Sequence, residues 1–98
     1  MELEIRVSAK TPSNNLANSI VAAYREHKEI TLCAIGPIPI SQSVKAVCIA
    51  NRALAASGDM LGITPGLDTK EIPDKDTGQL IPWVVCRMRL TSLFRATT

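Results

Sequence analysis

Ninety-eight residues, 46% of them hydrophobic and 20% charged, suffice for one small globular core and exclude a chain that stays unfolded for lack of apolar surface. Eleven Lys and Arg against nine Asp and Glu leave a net charge of +2, which excludes a histone-like polycation; any nucleic-acid binding has to come from a local patch. Aromatic residues are 3% of the chain (Tyr24, Trp83 and Phe94), too few for a sheet that reads bases by stacking them on rings.

The chain opens Met1-Glu2-Leu3-Glu4, acidic where a secretory signal carries positive charge, and its longest charge-free run (residues 30–44) is interrupted by Pro37 and Pro39. That run is shorter than the ~20 apolar residues of a spanning helix, so a cytoplasmic protein with no membrane partner is expected. Cys33, Cys48 and Cys86 are an odd number in apolar surroundings and are expected as reduced core thiols.

Leu3, Ile5 and Val7 alternate with Glu4, Arg6 and Ser8, the period of a half-buried strand. Thr11-Pro12 then opens a helix expected to run to about Lys28, with Leu16, Ile20 and Tyr24 on its apolar stripe beside Ala17 and Val21. Residues 30–35 (ITLCAI) are apolar on both faces, as in a central strand. Gly36-Pro37-Ile38-Pro39 reads as a turn, followed by a second helix from Pro39 or Ser41 to Ser57 with Gly58 as its C-terminal cap. Residues 59–72 read as a strand broken at Gly62, Pro65 and Gly66, and Thr77-Gly78 as a hairpin turn. The last strand spans residues 79–90, with Val84, Cys86, Met88 and Leu90 on one face and Val85, Arg87 and Arg89 on the other.

The order β-α-β-α-β-β, with right-handed crossovers, predicts an α+β two-layer sandwich: a mixed four-stranded sheet with both helices on one face and the other face open. Residues 1–91 form the single domain, and residues 92–98 a short polar tail.

Val7-Ser8-Ala9-Lys10, Ala34-Ile35-Gly36, Gln42-Ser43-Val44-Lys45-Ala46-Val47, Ile49-Ala50-Asn51-Arg52 and Gly58 together resemble the stage V sporulation protein S family over about residues 3–91. The resemblance implies an Alba-like fold and a small cytoplasmic dimer that binds nucleic acid, linked to sporulation or developmental regulation. Alba itself carries a lysine pair in its first strand–helix loop, arginines in the second and a flexible hairpin arm along DNA. Here the first loop has Lys10 alone and the second has no basic residue. The segment from Gly58 to Gly78 holds Asp59, Asp68, Glu71, Asp74 and Asp76 against Lys70 and Lys75, a net −3 that repels phosphate.

Candidate nucleic-acid residues fall into two groups. Lys10 lies at a strand–helix junction, and Ser41, Lys45 and Arg52 follow i, i+4, i+11 spacing on one helical stripe. The two helix N-termini, with amides near Ser13 and Ser41, are expected to hold a backbone phosphate between them. Arg6, Arg87 and Arg89 share the open sheet face, where Glu2 and Glu4 are placed to neutralise them.

Other motifs carry no chemistry. Asp74-Lys75-Asp76-Thr77-Gly78 lacks the fifth and twelfth ligands of a calcium loop. His27 has only Glu26, Lys28 and Glu29 around it and is read as solvated; Ser41 and Lys45 lack an oxyanion hole. No catalytic residue, metal or cofactor is expected, and the chain is read as a non-enzyme. The leading function is a regulatory protein that grips the phosphate backbone of DNA or RNA without reading bases; the alternative is a protein-interaction or assembly module, with a small anion-binding protein third.

A homodimer or higher homo-oligomer is expected. Ile40, Val44, Ala46, Val47, Cys48, Ile49, Ala50, Ala53 and Leu54 cover more of the second helix than one sheet can bury. Two-fold pairing over the remainder would join the Lys10 and Lys45 sites of both copies on one composite surface.

Overall fold

The alternation of Leu3, Ile5 and Val7 appears as β1 (Glu2–Val7), and the doubly apolar run as β2 (Glu29–Ala34). They lie side by side and parallel, joined through α1 (Ser13–Arg25). After β2 come α2 (Pro37–Ala55), β3 (Met60–Pro73) and β4 (Leu80–Phe94), giving the order β-α-β-α-β-β. The structure is a computed structural model and describes residues 2–94. The sheet order is β1-β2-β4-β3, with β4 antiparallel to both neighbours, so the sheet is mixed and four-stranded.

Both helices cover the same sheet face. Leu16, Ala17, Ile20, Ala23 and Tyr24 from α1 and Ala46, Val47, Ala50 and Leu54 from α2 pack on Val7, Ile30, Leu32, Ala34, Leu61, Met88 and Leu90 from the strands. Small residues on the inner side of α2 let it approach the sheet closely; Ser43, 0% exposed, meets its own need by donating to the Pro39 carbonyl at 2.8 Å.

Helix ends differ from the sequence expectation for identifiable reasons. α1 stops at Arg25 rather than near Lys28, because His27 takes a left-handed conformation (φ 59°) and the Lys28 N–H turns back to the Ala23 carbonyl at 3.1 Å. α2 starts at Pro37, earlier than expected: prolines are tolerated in a first turn whose N–H groups have no helical partner, so Pro37 and Pro39 begin the helix instead of delaying it. Gly36 makes the entry at φ 90°, a region closed to most side chains. At the other end Gly58 (φ 79°) is the expected cap, with the Asp59 N–H reaching the Leu54 carbonyl at 3.1 Å.

A side chain fastens α2 to the start of β3. Asn51 donates to the Leu61 carbonyl at 3.0 Å and accepts from the Leu61 N–H at 2.8 Å, two bonds that mimic a neighbouring strand.

β3 is continuous rather than broken. It pairs with β4 from Met60 to Pro73, with one irregularity at Met60/Leu61. The register explains how the β3–β4 ladder survives three prolines: Pro65 opposite Met88, Pro73 opposite Leu80 and Pro82 of β4 opposite Glu71 all belong to one alternating set of pairs. In antiparallel strands that set is the one whose backbone groups point out of the pair, where a missing N–H costs nothing. The hairpin closes at Asp74–Gln79, with Gly78 at φ 71° and the Asp74 N–H on the Gln79 carbonyl at 2.8 Å.

β4 also runs on to Phe94, so residues 92–94, expected in the polar tail, belong to the strand, with Ser92 paired to Leu61 and Phe94 to Met60; residues 95–98 lie outside the described residues. No cysteine is a fully buried core residue: Cys33 and Cys86 are half-buried and Cys48 is exposed, because it falls on the outer stripe of α2.

Truncation of the fully buried Leu54 to Ala is expected to cost about 2–5 kcal/mol in denaturant unfolding. Asn51→Ala is expected to cost about 1–3 kcal/mol by stranding the Leu61 backbone groups, and to speed hydrogen exchange at the Leu61 amide ahead of the rest of β3.

Candidate functional site

The loop between β1 and α1 is held by its own hydroxyls. Thr11 Oγ1 accepts from the Ser8 N–H at 3.0 Å, and Ser8 Oγ accepts from the Lys10 N–H at 3.2 Å. This turn presents Lys10 to solvent just ahead of the first turn of α1. Gln42 then ties the loop to α2: its Oε1 accepts from Ser13 Oγ at 2.7 Å, and its Nε2 donates to the Ala9 carbonyl at 3.4 Å. Ser41 and Lys45, one residue before and three after Gln42, are both exposed, so Lys10 and Lys45 belong to one surface around this bridge.

The anion-binding capacity of that surface is one-sided. α1 has Pro12 at its cap with no side-chain cap bond and no acid in its first turn, so the N–H groups of Ser13, Asn14 and Asn15 are available. α2 does not match the expected amides near Ser41. Its first turn contains Pro37 and Pro39, which have no N–H, the Ile40 N–H is bonded to the Gly36 carbonyl at 3.4 Å, and Ser41 lies a full turn inside the helix. Ser41 can offer a hydroxyl there, not a terminal amide.

Arg52 continues the exposed stripe of α2, about 10 Å along the axis from Lys45. Among the described residues the ion pairs are Lys28–Glu26 at 2.8 Å and Arg87–Glu4 at 3.0 Å; Lys10, Lys45 and Arg52 take part in neither.

Arg6, Arg87 and Arg89 occupy the opposite face of the sheet. The registers set Arg6 beside Cys33 and Cys33 beside Arg87, with Arg89 one row along beside Thr31. The seven candidate residues therefore divide between two surfaces, and the sheet lies between them. On the open face Arg87 is spent on Glu4, which reaches it across β2. That hydrogen bond, aided by one from the Cys33 thiol, holds the Glu4 carboxyl below its ordinary range and pushes the Arg87 guanidinium up. Partial burial, then the Glu4 charge, raises the Cys33 thiol above its ordinary value and keeps it protonated at neutral pH.

A groove of about 980 Å³ lies over this face, and nothing in the sequence pattern pointed to it. Its floor includes Glu4, Arg6, Cys33, Val85 and Arg87; the α2 entry at Ile35 and Ile38 and the β3 segment at Asp68, Lys70 and Glu71 supply its rims. Arg6, Lys70 and Arg87 meet Glu4 and Asp68 there, while Glu71 borders the rim with its side chain on the other face of β3 by register, so the groove is close to neutral and offers little charge to a phosphate chain. Gln42 and Ser13 form their bridge with almost no local signal in the sequence. The only sign was Gln42 between two exposed positions of an amphipathic helix, which does not reveal a partner 29 residues away.

The profile of the family described as Stage V sporulation protein S (SpoVS) matches residues 3–87. The chain belongs to this family. Among solved structures it is similar to Alba from Thermoplasma volcanium, at TM-score 0.66 and 19% identity, over 91% of this chain and 99% of that one. That likeness establishes the Alba-like fold. Among the described residues no helix is long and apolar enough to cross a membrane.

The Glu4–Arg87 bond gives a pH prediction for this SpoVS-family chain. A carboxyl whose pKa is depressed in the folded state contributes stability above its ordinary pKa and loses it as pH falls through the folded value. Arg87→Ala is therefore expected to return Glu4 towards the ordinary carboxylate range in an NMR titration, with a small stability change at neutral pH that disappears in acid. Glu4→Gln is expected to make Cys33 react faster with a thiol reagent while exposed Cys48 keeps its rate.

Proposed function

We propose that the protein binds the phosphate backbone of DNA or RNA through the surface around Gln42, with no base readout and no catalysis, and acts in the cytoplasm as a regulator connected with sporulation. One observation carries this reading: Gln42 joins the Lys10 loop, the uncapped first turn of α1 and the Lys45 turn of α2, and no acid pairs with either lysine among the described residues. A phosphate oxygen can take the Ser13, Asn14 and Asn15 amides while the lysines supply charge, and Ser41 can add a hydroxyl. Membership of the SpoVS family and the Alba-like fold support the reading. The open-face arginines contribute little to it, since Arg87 is paired and Glu4 and Asp68 lie beside Arg6 in the groove.

The free protein associates as a homodimer or larger homo-oligomer. Val44 (43% exposed), Ile49 (37%) and Cys48 form an apolar stripe on α2 that the sheet leaves uncovered. A protein-interaction role is the second reading, favoured by the exposed Leu67, Leu80, Trp83 and Val84 of the β3–β4 hairpin.

Fluorescence anisotropy with short DNA and RNA duplexes across a salt series tests the first reading. Wild type is expected to bind with log affinity falling linearly with log salt. Lys10→Ala/Lys45→Ala is expected to flatten that slope by about two phosphate contacts and to weaken binding about tenfold or more at low salt. No binding of either duplex by wild type at low salt removes the reading.

A further inference from the structure

β4 has 15 residues and β2 only 6, and their pairing ends at Ala34–Cys86. Beyond that point Leu80–Val85 pairs with β3 alone, and the two strands form a free arm on a molecule 55 Å long and 23 × 18 Å across. An unsupported two-stranded ribbon is marginal in water, and this one exposes large apolar side chains. On the face continuous with the core stand Leu67 (79% exposed), Val84 (59%), Leu80 (55%), Pro73 and Pro82, with Glu71 among them and Asp74 and Asp76 at the tip. Both edges of the arm carry a proline at an outward-pointing position, Pro73 on one side and Pro82 on the other, and Pro65 follows on the β3 edge at its base. They discourage strand addition, so a partner has to meet a face of the arm rather than an edge.

The outer stripe of α2 has the opposite character. Val44, Cys48, Ile49 and Ala53 alternate with Lys45 and Arg52 along it, all exposed. Whatever covers the apolar residues also covers the two cations, and taking them out of water is unfavourable unless the covering surface supplies acids. The arm is such a surface: apolar, with Glu71, Asp74 and Asp76 outnumbering Lys75. The lengths agree as well. Ile38 to Arg52 spans about 21 Å of helix, and Leu67 to Pro73 about 20 Å of strand.

We propose that the acidic arm of one copy seats on the α2 stripe of a second copy and so masks Lys45 and Arg52 from polyanions. The masking rests on the phosphate-binding reading of Lys45; the docking does not. Instead of joining two Lys45 sites on one composite surface, association hides them. Nucleic acid and the partner's arm then compete for the same cations, and binding one releases the other.

Charge reversal on each side decides the docking. Glu71→Lys/Asp76→Lys and Lys45→Glu/Arg52→Glu are each expected to weaken self-association about tenfold or more in sedimentation, while an equimolar mixture of the two restores it. Circular dichroism checks that both remain folded, and Val84→Ser, which carries no charge change, is expected to weaken association as well. A monomeric wild type at micromolar concentration and low salt, or a mixture that fails to re-associate, overturns the docking. Titrating wild type with a short DNA duplex is expected to shift it towards monomer, and the arm-reversed variant is expected to bind the duplex more tightly than wild type. A duplex that strengthens association overturns the masking. A duplex that no variant binds removes the phosphate reading while the charge-swap result still stands.

Discussion

β4 is hydrogen-bonded to β2 on one side and to β3 on the other, antiparallel to both. Its inner half carries Met88 and Leu90 into the core, where they meet Leu32 and Ile30 across the register. Its outer half passes the end of β2 and has no such support. The same strand therefore holds the body together and sets out the arm, and the division falls where β2 stops. A longer β2 would have paired Val84 and Leu80, and α2 could not then enter directly from Gly36.

The division of the body into two surfaces follows from the same sheet. Helices on one face bury its apolar side chains and bring the β1–α1 loop against α2, where Gln42 locks the Lys10 loop in place. The other face carries Glu4, Arg6, Arg87 and Arg89 beside Thr31 and Val85, which are buried there. Arg87 is paired there with Glu4, and Arg6 lies beside Glu4 and Asp68 in the groove, whereas Lys10 and Lys45 take part in no ion pair among the described residues. The helix-side cations, beside an uncapped helix N-terminus and without acids in their own loop, are the ones placed to attract a polyanion.

How much of this was legible in the sequence depends on the range of the interaction. Period-2 and helical patterns placed all six elements and the open face, and Gly58 announced its own cap, because each is decided by neighbours a few residues apart. Pro37 and Pro39 misled, since the same residues that make turns also fit a helical first turn. Gly62, Pro65 and Gly66 suggested a broken strand, but the ladder with β4 accepts prolines wherever their parity points outward, and parity is known only once the register is. The Gln42 bridge and the groove join residues far apart in the chain and left no local trace.

The arm gives the fold a polarity that composition alone conceals. A net charge of +2 suggests a nearly neutral surface, yet β3 and the hairpin tip carry Asp68, Glu71, Asp74 and Asp76 against Lys70 and Lys75, while Lys10, Lys45 and Arg52, in no ion pair among the described residues, stand on the β1–α1 loop and α2. Charges segregated in this way raise the field at each end and make the molecule complementary to itself as well as to a polyanion. An arm carrying excess acid cannot follow a phosphate chain, so the fold's reach along nucleic acid is limited to what the body offers at Lys10 and Lys45. The apolar residues that the arm exposes still require cover, and α2 is the surface in this chain with matching length, matching apolar side chains and opposite charge.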